Sequence, residues 1–152
     1  MFYFLIILIC IIVDQLTKYW VFSKKLTLHL LPFLSIQPVY NTGFIFGLFS
    51  NLEGILRTIF YLSIPLILLF LFIWILIRSK DSLFRLGLSF IIGGGIGNVT
   101  DRLILNKVRD FIDFHIGNWH YPTFNVADVC VDLGIAILLF YFLFVYKPPK
   151  GD

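Results

Sequence analysis

The sequence predicts an all-α membrane protein with four transmembrane helices and a small β-sheet beside a loop or helix at one membrane face. Three observations predict this fold. The chain of 152 residues is 59% hydrophobic and only 14% charged, whereas soluble domains average roughly 45–50% apolar and about 25% charged residues. Four apolar stretches have the length of a membrane span, and the two long connections between them contain the signals of strands and turns.

The four apolar stretches cover about residues 2–22, 55–77, 83–105 and 126–146. Each has the length of roughly 20 mostly apolar residues that a transmembrane helix needs. Helices are expected because lipid cannot satisfy backbone polar groups. The first stretch has no basic region before it and no small-residue cleavage site after it, so we interpret it as a retained helix and not a signal peptide. The third contains "GGGIGN", which we expect to interrupt the helix.

The connections at about 23–54 and 106–125 are expected to lie on one membrane face. The short loop "RSKDS" joins the second and third spans, which leaves both long connections on the opposite side. The first of them mixes β-branched and aromatic residues with proline and glycine, which predicts short strands and turns in a sheet on the membrane surface. The length of the chain favours a single domain over residues 1–152.

Several classes of partner and site are disfavoured. The 12 basic residues form no run or stripe, so nucleic acid is not expected as a partner. Cys10 and Cys130 lie in apolar segments and are interpreted as small buried side chains, not as a disulfide or metal pair. The only histidines are His29, His115 and His120, without an HExxH motif or a cysteine cluster, so no metal site is predicted.

Ionisable residues in the predicted spans are candidate functional groups. Asp14 and Lys18, at i and i+4, form either a local ion pair at the interface or place Asp14 inside the bundle. In "GGGIGNVTDR" the glycines permit close helix packing. Asn98, Asp101 and Arg102 follow on one helix face, where both a structural and a functional role remain open.

Carboxylates also cluster around the start of the fourth span. Asp110 and Asp113 are either surface charges or site residues, and their spacing alone does not choose between them. Asn125 is a plausible N-cap for a helix carrying Asp128, with Asp132 one turn later as a like charge. Two close carboxylates that share one proton can activate water without a cofactor. The residues alone thus predict carboxylate chemistry or ion transfer near the membrane surface.

Five stretches in this order and spacing resemble the lipoprotein signal peptidases, the type II signal peptidases of bacteria. They are "VDQLTK" at 13–18, "NTGFIFG" at 41–47, "GGGIGNVTDR" at 93–102, "VRDFID" at 108–113 and "FNVAD" at 124–128. Each motif is weak by itself, but together they span almost the whole chain. "GFIFG" departs from the family, which usually has small residues where Phe44 and Ile45 stand.

The resemblance implies an aspartic endopeptidase without a cofactor or metal. Its substrate would be a prolipoprotein that carries diacylglycerol on a cysteine, cut just before that cysteine. The resemblance assigns the catalytic pair to Asp110 and Asp128. It also implies residues that bind substrate or organise the site: Asp14, Asn41, Gly43, Asn98, Asp101, Arg102 and Asn125.

The resemblance further implies a multi-pass protein of the bacterial inner membrane. Both termini would be cytoplasmic, and the sheet, the loop and the site would be periplasmic, in contact with membrane lipid. The distribution of basic residues mildly favours the opposite orientation. We expect a monomer. A small non-enzymatic transporter or proton-relay subunit is the alternative, since intramembrane charges and glycine clusters suit it too; a structural assembly subunit is a third.

Overall fold

The computed structural model describes residues 1–42 and 54–147. In this part of the chain, four helices are long and apolar enough to cross a membrane, which confirms the predicted fold class. A short π-helical turn, Tyr141–Val145, extends the last of them. The helices are α1 (Phe2–Lys24), α2 (Gly54–Arg78), α3 (Ser82–Leu105) and α4 (Val126–Phe140).

Helix α3 is the centre of the bundle, and its glycines admit the neighbouring helices. A Cβ atom at Gly94 would collide with the carbonyl oxygen of Ala127 in α4, and one at Gly97 would lie 2.6 Å from Asp14 Oδ2 in α1. These contacts are possible only because glycine has no side chain. The expectation that "GGGIGN" interrupts the helix was wrong, since α3 is continuous from Ser82 to Leu105. Tight packing on two sides compensates for the low helix propensity of glycine.

The apolar core lies between α2 and α3. It is formed by Leu69 and Leu76 together with Leu88, Ile92 and Val99. By contrast, the outward faces of α1, α2 and α4 expose many large apolar side chains, which is the pattern expected where lipid covers a helix.

The cysteines lie where α1 and α4 pack together. Cys10 and Cys130 are buried and are not joined by a disulfide. Their interpretation as small buried side chains is confirmed.

Four antiparallel strands form the predicted sheet, in the order β1-β2-β3-β4. Half of the sheet was not predicted, because β3 and β4 come from the second long connection. In "VRDFIDFHI" polar and apolar residues alternate only over residues 112–116, so its first half lacks the pattern of a half-buried strand. Residues 121–125 then lead to α4 largely as a loop. The strands are β1 (Leu28–Leu31), β2 (Leu34–Asn41), β3 (Val108–Ile116) and β4 (Trp119–His120).

An irregularity in β2 sets the register at the end of the sheet. Pairing between β2 and β3 shifts between Ile36 and Val39. Pro38 lies within this interval and has no N–H to donate to the ladder. Beyond the shift, Val39 lies opposite Asp110. This register brings Asn41, two residues further along β2, beside the Asp110 side chain.

Candidate active site

Asp110 lies on β3 with a carboxylate that is bound on both oxygens. Asp110 is only 2% exposed. Asn41 Nδ2 donates a hydrogen bond to Asp110 Oδ2 at 2.9 Å, and Asn125 Nδ2 donates one to Oδ1 at 2.6 Å. The sheet register supplies the first donor and the N-terminus of α4 the second. The carboxylate is therefore held in one orientation by two side-chain amides.

Asp128 lies in the first turn of α4, where it takes part in the helix cap. Asn125 Oδ1 accepts from the Asp128 N–H at 3.0 Å, and Asp128 Oδ2 accepts from the Asn125 N–H at 3.0 Å. This reciprocal capping box confirms the expected N-cap. The other oxygen of Asp128, Oδ1, accepts from Asn98 Nδ2 at 2.8 Å.

Asn125 is the link between the two carboxylates. Its side-chain amide binds Asp110 while its backbone N–H binds Asp128. The same amide also donates to Asn98 Oδ1 at 3.1 Å. Two aspartates that are 18 residues apart in sequence thus share one amide residue and form an asparagine-bridged carboxylate pair.

The electrostatic surroundings raise the pKa of the Asp110 carboxyl above its usual range. Burial is the largest cause, because it penalises the charged form. The negative charge of Asp128 acts in the same direction, whereas the hydrogen bonds from Asn41 and Asn125 oppose it. A carboxyl group with a raised pKa, next to a second one, is suited to holding a proton at pH values where an ordinary aspartate is ionised.

A buried ion cluster lies directly behind this pair. Asp14, Lys18 and Asp101 are all fully buried. Lys18 Nζ lies 2.9 Å from Asp14 Oδ2 and 3.4 Å from Asp101 Oδ2, and it donates to Asn98 Oδ1 at 3.0 Å. Of the two alternatives for Asp14, both hold at once: it pairs with Lys18 and points into the bundle.

Arg109 and Gln15 complete the ion cluster. Arg109 makes an ion pair with Asp101 at 2.6 Å, and its backbone N–H donates to Asp101 Oδ2 at 2.9 Å. Gln15 Nε2 donates to Asp14 Oδ2 at 3.0 Å, while Gln15 Oε1 accepts from Arg109 at 2.8 Å. The other carboxylate oxygen of Asp14, Oδ1, accepts a hydrogen bond from the Ala127 N–H at 2.9 Å. The cluster therefore ties α1, α3, β3 and the start of α4 together.

Access to Asp110 is provided by a pocket of about 340 Å³ at the edge of the sheet. It is lined by the last three residues of β2, by Thr42 after the strand, by Asp110, and by Pro122 and Thr123 of the loop before α4. A group that enters this pocket reaches the carboxylate of Asp110 from the side of the sheet.

Comparison with known proteins identifies the family. The family described as signal peptidase (SPase) II matches residues 6–144. The chain belongs to the signal peptidase II family. A lipoprotein signal peptidase of Coxiella burnetii (strain Dugway 5J108-111) is 42% identical over 138 residues, which are 88% of this chain and 84% of the relative. That of Aquifex aeolicus (strain VF5) is 40% identical over 128 residues, or 83% and 76% of the two chains.

Solved structures of bacterial membrane enzymes share the fold of this signal peptidase. One matches with a TM-score of 0.81 and 27% identity over 99% of this chain and 93% of its own. Another has a TM-score of 0.83 and 27% identity over 95% and 94% of the two chains. The family confirms a bacterial multi-pass membrane peptidase that removes signal peptides. It does not favour the transporter or proton-relay alternative.

Most of the residues singled out in the sequence of this signal peptidase lie together. Five of the seven others are connected to Asp110 and Asp128. Asn41, Asn98 and Asn125 bond one or both of these aspartates directly. Asp14 and Asp101 are linked to Asp128 through Lys18 and Asn98. Gly43, with the departures Phe44 and Ile45, lies outside the residues that the structure describes. Asp132 is exposed, unlike Asp128.

Three residues of the cluster were not recognised as site residues. Gln15 and Lys18 stand within the quoted stretch "VDQLTK", and Arg109 within "VRDFID". The available signal was their charge or amide group beside a predicted span. Lys18 was considered only as a possible partner of Asp14, and its contacts with α3 depend on packing that the sequence does not reveal.

Arg102 has a different environment from the other motif residues. Its guanidinium carbon lies 4.8 Å from the centre of the Tyr61 ring on α2, which is a cation–π contact. Its buried Nε has no hydrogen-bonding partner among residues 1–42 and 54–147. The Arg102 Nε–H group can therefore still donate a hydrogen bond to a group outside the described part of the protein.

Proposed function

We propose that this signal peptidase is an aspartic endopeptidase that cuts diacylglyceryl-modified prolipoproteins just before the lipidated cysteine. The catalytic pair would be Asp110 and Asp128. The observation that carries the proposal is the bridge by Asn125, which binds both carboxyl groups, one of which, that of Asp110, lines a pocket. The relatives in Coxiella burnetii and Aquifex aeolicus, named lipoprotein signal peptidases, support the substrate class.

The pair would act by general acid–base catalysis. One carboxylate takes a proton from a water molecule, which attacks the scissile carbonyl carbon, while the protonated carboxyl donates a hydrogen bond to the carbonyl oxygen. The tetrahedral intermediate then collapses, the peptide C–N bond breaks, and a carboxyl proton passes to the leaving amine. The proton belongs to the pair and not to either aspartate, because close carboxyl groups titrate together. Neither a metal nor a cofactor takes part in this scheme.

The surrounding amides and ions would position the pair. Asn41 and Asn125 orient Asp110, and Asn98 orients Asp128. Asp14 and Asp101 act indirectly, because Lys18 links them to Asn98, which bonds Asp128. Such support keeps catalytic groups within the narrow range of geometry that acid–base chemistry requires.

The substrate would reach the site by diffusing in the membrane. Its diacylglyceryl chains partition into the bilayer and hold the cleavage site at the depth of the interface. We place the sheet and the site at the periplasmic face of the inner membrane, with both termini in the cytoplasm. The opposing count of basic residues is weakened because Lys18 and Arg109 are engaged in buried ion pairs and are not loop charges in the sense of the positive-inside rule.

One chain would suffice for catalysis. Every proposed catalytic and positioning residue comes from the same protomer, which supports a monomer that forms one peptidase domain over residues 1–152. Lipid would be in contact with the exposed apolar faces of the helices.

The proposed substrate class is tested with the purified protein in lipid bilayers. We expect it to shorten a prolipoprotein that carries diacylglycerol on its cysteine and to leave the same precursor without the lipid intact. The products are compared by gel mobility and mass spectrometry. Equal cleavage of both precursors would contradict the lipid requirement, and no cleavage by folded protein would contradict the proposed function.

Arg102→Lys is expected to lower kcat/KM at least about tenfold, equivalent to ~1.4 kcal/mol. Lysine retains the charge but lacks the planar fork of donors that binds a peptide backbone or stacks on Tyr61. The matched control is Arg85→Lys, on the same helix, because Arg85 makes a similar contact with Tyr3, 4.2 Å from its ring centre. Comparable turnover of both variants and the wild type would show that the fork is not needed.

The pH dependence of kcat/KM is expected to be bell-shaped, with an alkaline limb displaced above the ordinary aspartate pKa of about 3.9. Activity requires one proton on the pair. Because burial raises the pKa of Asp110, this proton is retained as pH rises past the ordinary value and is lost only as pH passes the raised one. Steady-state rates across the pH range, with protein returned to neutral pH as a stability control, test this. A rate that keeps rising into the alkaline range would contradict the shared proton.

A further inference from the structure

A second cluster of ionisable side chains lies on β3 and β4, apart from the carboxylate pair. It consists of Asp113, His115 and His120, here named the histidine cluster. His120 Nδ1 lies 2.8 Å from Asp113 Oδ1, and His115 Nδ1 lies 3.2 Å from Asp113 Oδ2. The two imidazole rings are stacked, with centres 5.1 Å apart and planes inclined by 25°.

The strand pairing explains why these three residues meet. Asp113 and His115 are two residues apart on β3, so their side chains project from the same face. The chain reverses at Gly117, whose φ of 59° suits glycine, and His115 then lies directly opposite His120. Although the spacing D-x-H-x4-H did not indicate a metal site in the sequence, the hairpin brings its three ligand-type side chains together.

The arrangement has the chemistry of a metal-binding site. One ligand atom from each residue can be chosen so that all three lie within 4.8 Å of one another. The Asp113 side chain is only 3% exposed, and the two histidines are its hydrogen-bonding or charged side-chain partners in the described part of the chain. His115 Nδ1 is buried and lacks hydrogen-bond geometry to any described residue, despite its distance of 3.2 Å from the carboxylate. A cation between these atoms would supply the partner that this nitrogen lacks.

The donor set selects the kind of metal. Two imidazole nitrogens and one carboxylate oxygen suit Zn²⁺ and related first-row ions, whereas Ca²⁺ and Mg²⁺ prefer oxygen ligands. Tetrahedral zinc with bonds of about 2.0–2.1 Å places its ligand atoms about 3.3 Å apart. The two histidine nitrogens lie 2.8 Å from Asp113 Oδ1 and 3.2 Å from Asp113 Oδ2, so each is near this distance from one oxygen of the carboxylate. The His120 side chain is 52% exposed, so the site is open to metal from outside.

We propose that Asp113, His115 and His120 bind one zinc-like divalent cation, with a fourth position open to water. The cation would clamp β4 to β3. Because β3 carries Asp110 and β4 leads into the loop that ends at Asn125, the clamp would stabilise the segment between these two residues. The site shares no hydrogen-bonding partner with Asp110 among the described residues, and the proposal does not depend on the chemistry of the carboxylate pair.

The test is a zinc titration of the purified protein without a polyhistidine tag, after removal of metal with a chelator. Competition with a chromophoric chelator is expected to show one bound equivalent. His115→Ala and His120→Ala are expected to weaken binding at least about tenfold each. The matched control is His29→Ala, since His29 lies on β1 of the same sheet and bonds Ser35 Oγ at 3.0 Å. Circular dichroism verifies that each variant is folded.

Cobalt provides a second readout that does not depend on activity. Co²⁺ bound by two imidazoles and a carboxylate is expected to give the strong visible absorption of a tetrahedral site, lost in the two histidine variants and in Asp113→Asn, and kept in His29→Ala. Zinc should also raise the melting temperature of the wild type but not of the variants. Absence of saturable binding, or binding that the variants leave unchanged, would overturn the proposal whether or not the protein cleaves prolipoprotein.

Discussion

Replacing either Asp110 or Asp128 by asparagine is expected to abolish prolipoprotein cleavage, with turnover lowered by roughly three orders of magnitude or more. Asparagine has the shape of aspartate and can still accept one of the amide hydrogen bonds seen at each position. It cannot take a proton from water or return one to the leaving amine. The measurement is the mobility shift of a diacylglyceryl-modified precursor incubated with each variant in lipid.

The matched control is another aspartate of the same region. Asp132→Asn changes an exposed carboxylate one turn along α4 from Asp128. It is expected to retain cleavage, and all three variants should melt cooperatively. Substantial turnover by Asp110→Asn or Asp128→Asn would remove that residue from the catalytic pair.

The helices of this protein were predictable because their signals are local and strong. A stretch of about twenty mostly apolar residues has few alternatives to a transmembrane helix, and a residue such as Asn125 ahead of Asp128 has the pattern of a capping box. The continuity of α3 was not predictable in the same way. Whether Gly94 and Gly97 break a helix or permit close packing depends on Ala127 and Asp14, which lie in other helices.

Strand β3 was missed because polar residues occupy buried positions on it. Asp110 and Asp113 are polar residues in buried positions, each enclosed by partners from other elements. Two buried positions of the strand are therefore polar, and the period-2 alternation of polar and apolar residues is confined to residues 112–116. The same feature explains why spacing could not distinguish Asp110 from Asp113. Their difference is that Asp110 is bonded by asparagines, one of which also bonds Asp128, whereas Asp113 is paired with histidines.

Lys18→Met is expected to destabilise the protein by roughly 3–5 kcal/mol, the cost of breaking a buried ion pair by removing one partner. Lys18 is fully buried, lies within ion-pair distance of Asp14 and Asp101, and donates to Asn98. Methionine fills much of the same volume, so the loss is of charge and hydrogen bonds more than of packing. Arg109 still pairs with Asp101, but Asp14 would lose its cation. Thermal unfolding followed by circular dichroism in lipid or detergent measures the effect.

Two further variants distinguish the effect of removing a buried charge from the effect of removing any lysine. Lys24→Met removes an exposed lysine at the end of the same helix and is expected to change stability by less than about 0.5 kcal/mol. The double variant Asp14→Asn/Lys18→Met removes both charges, and the asparagine oxygen can still accept from the Ala127 N–H. It is expected to recover part of the stability lost in Lys18→Met, because an uncompensated buried carboxylate is worse than a neutral amide. If the double variant is less stable than Lys18→Met, the main contribution of Asp14 is its contact with α4 and not its pairing with Lys18.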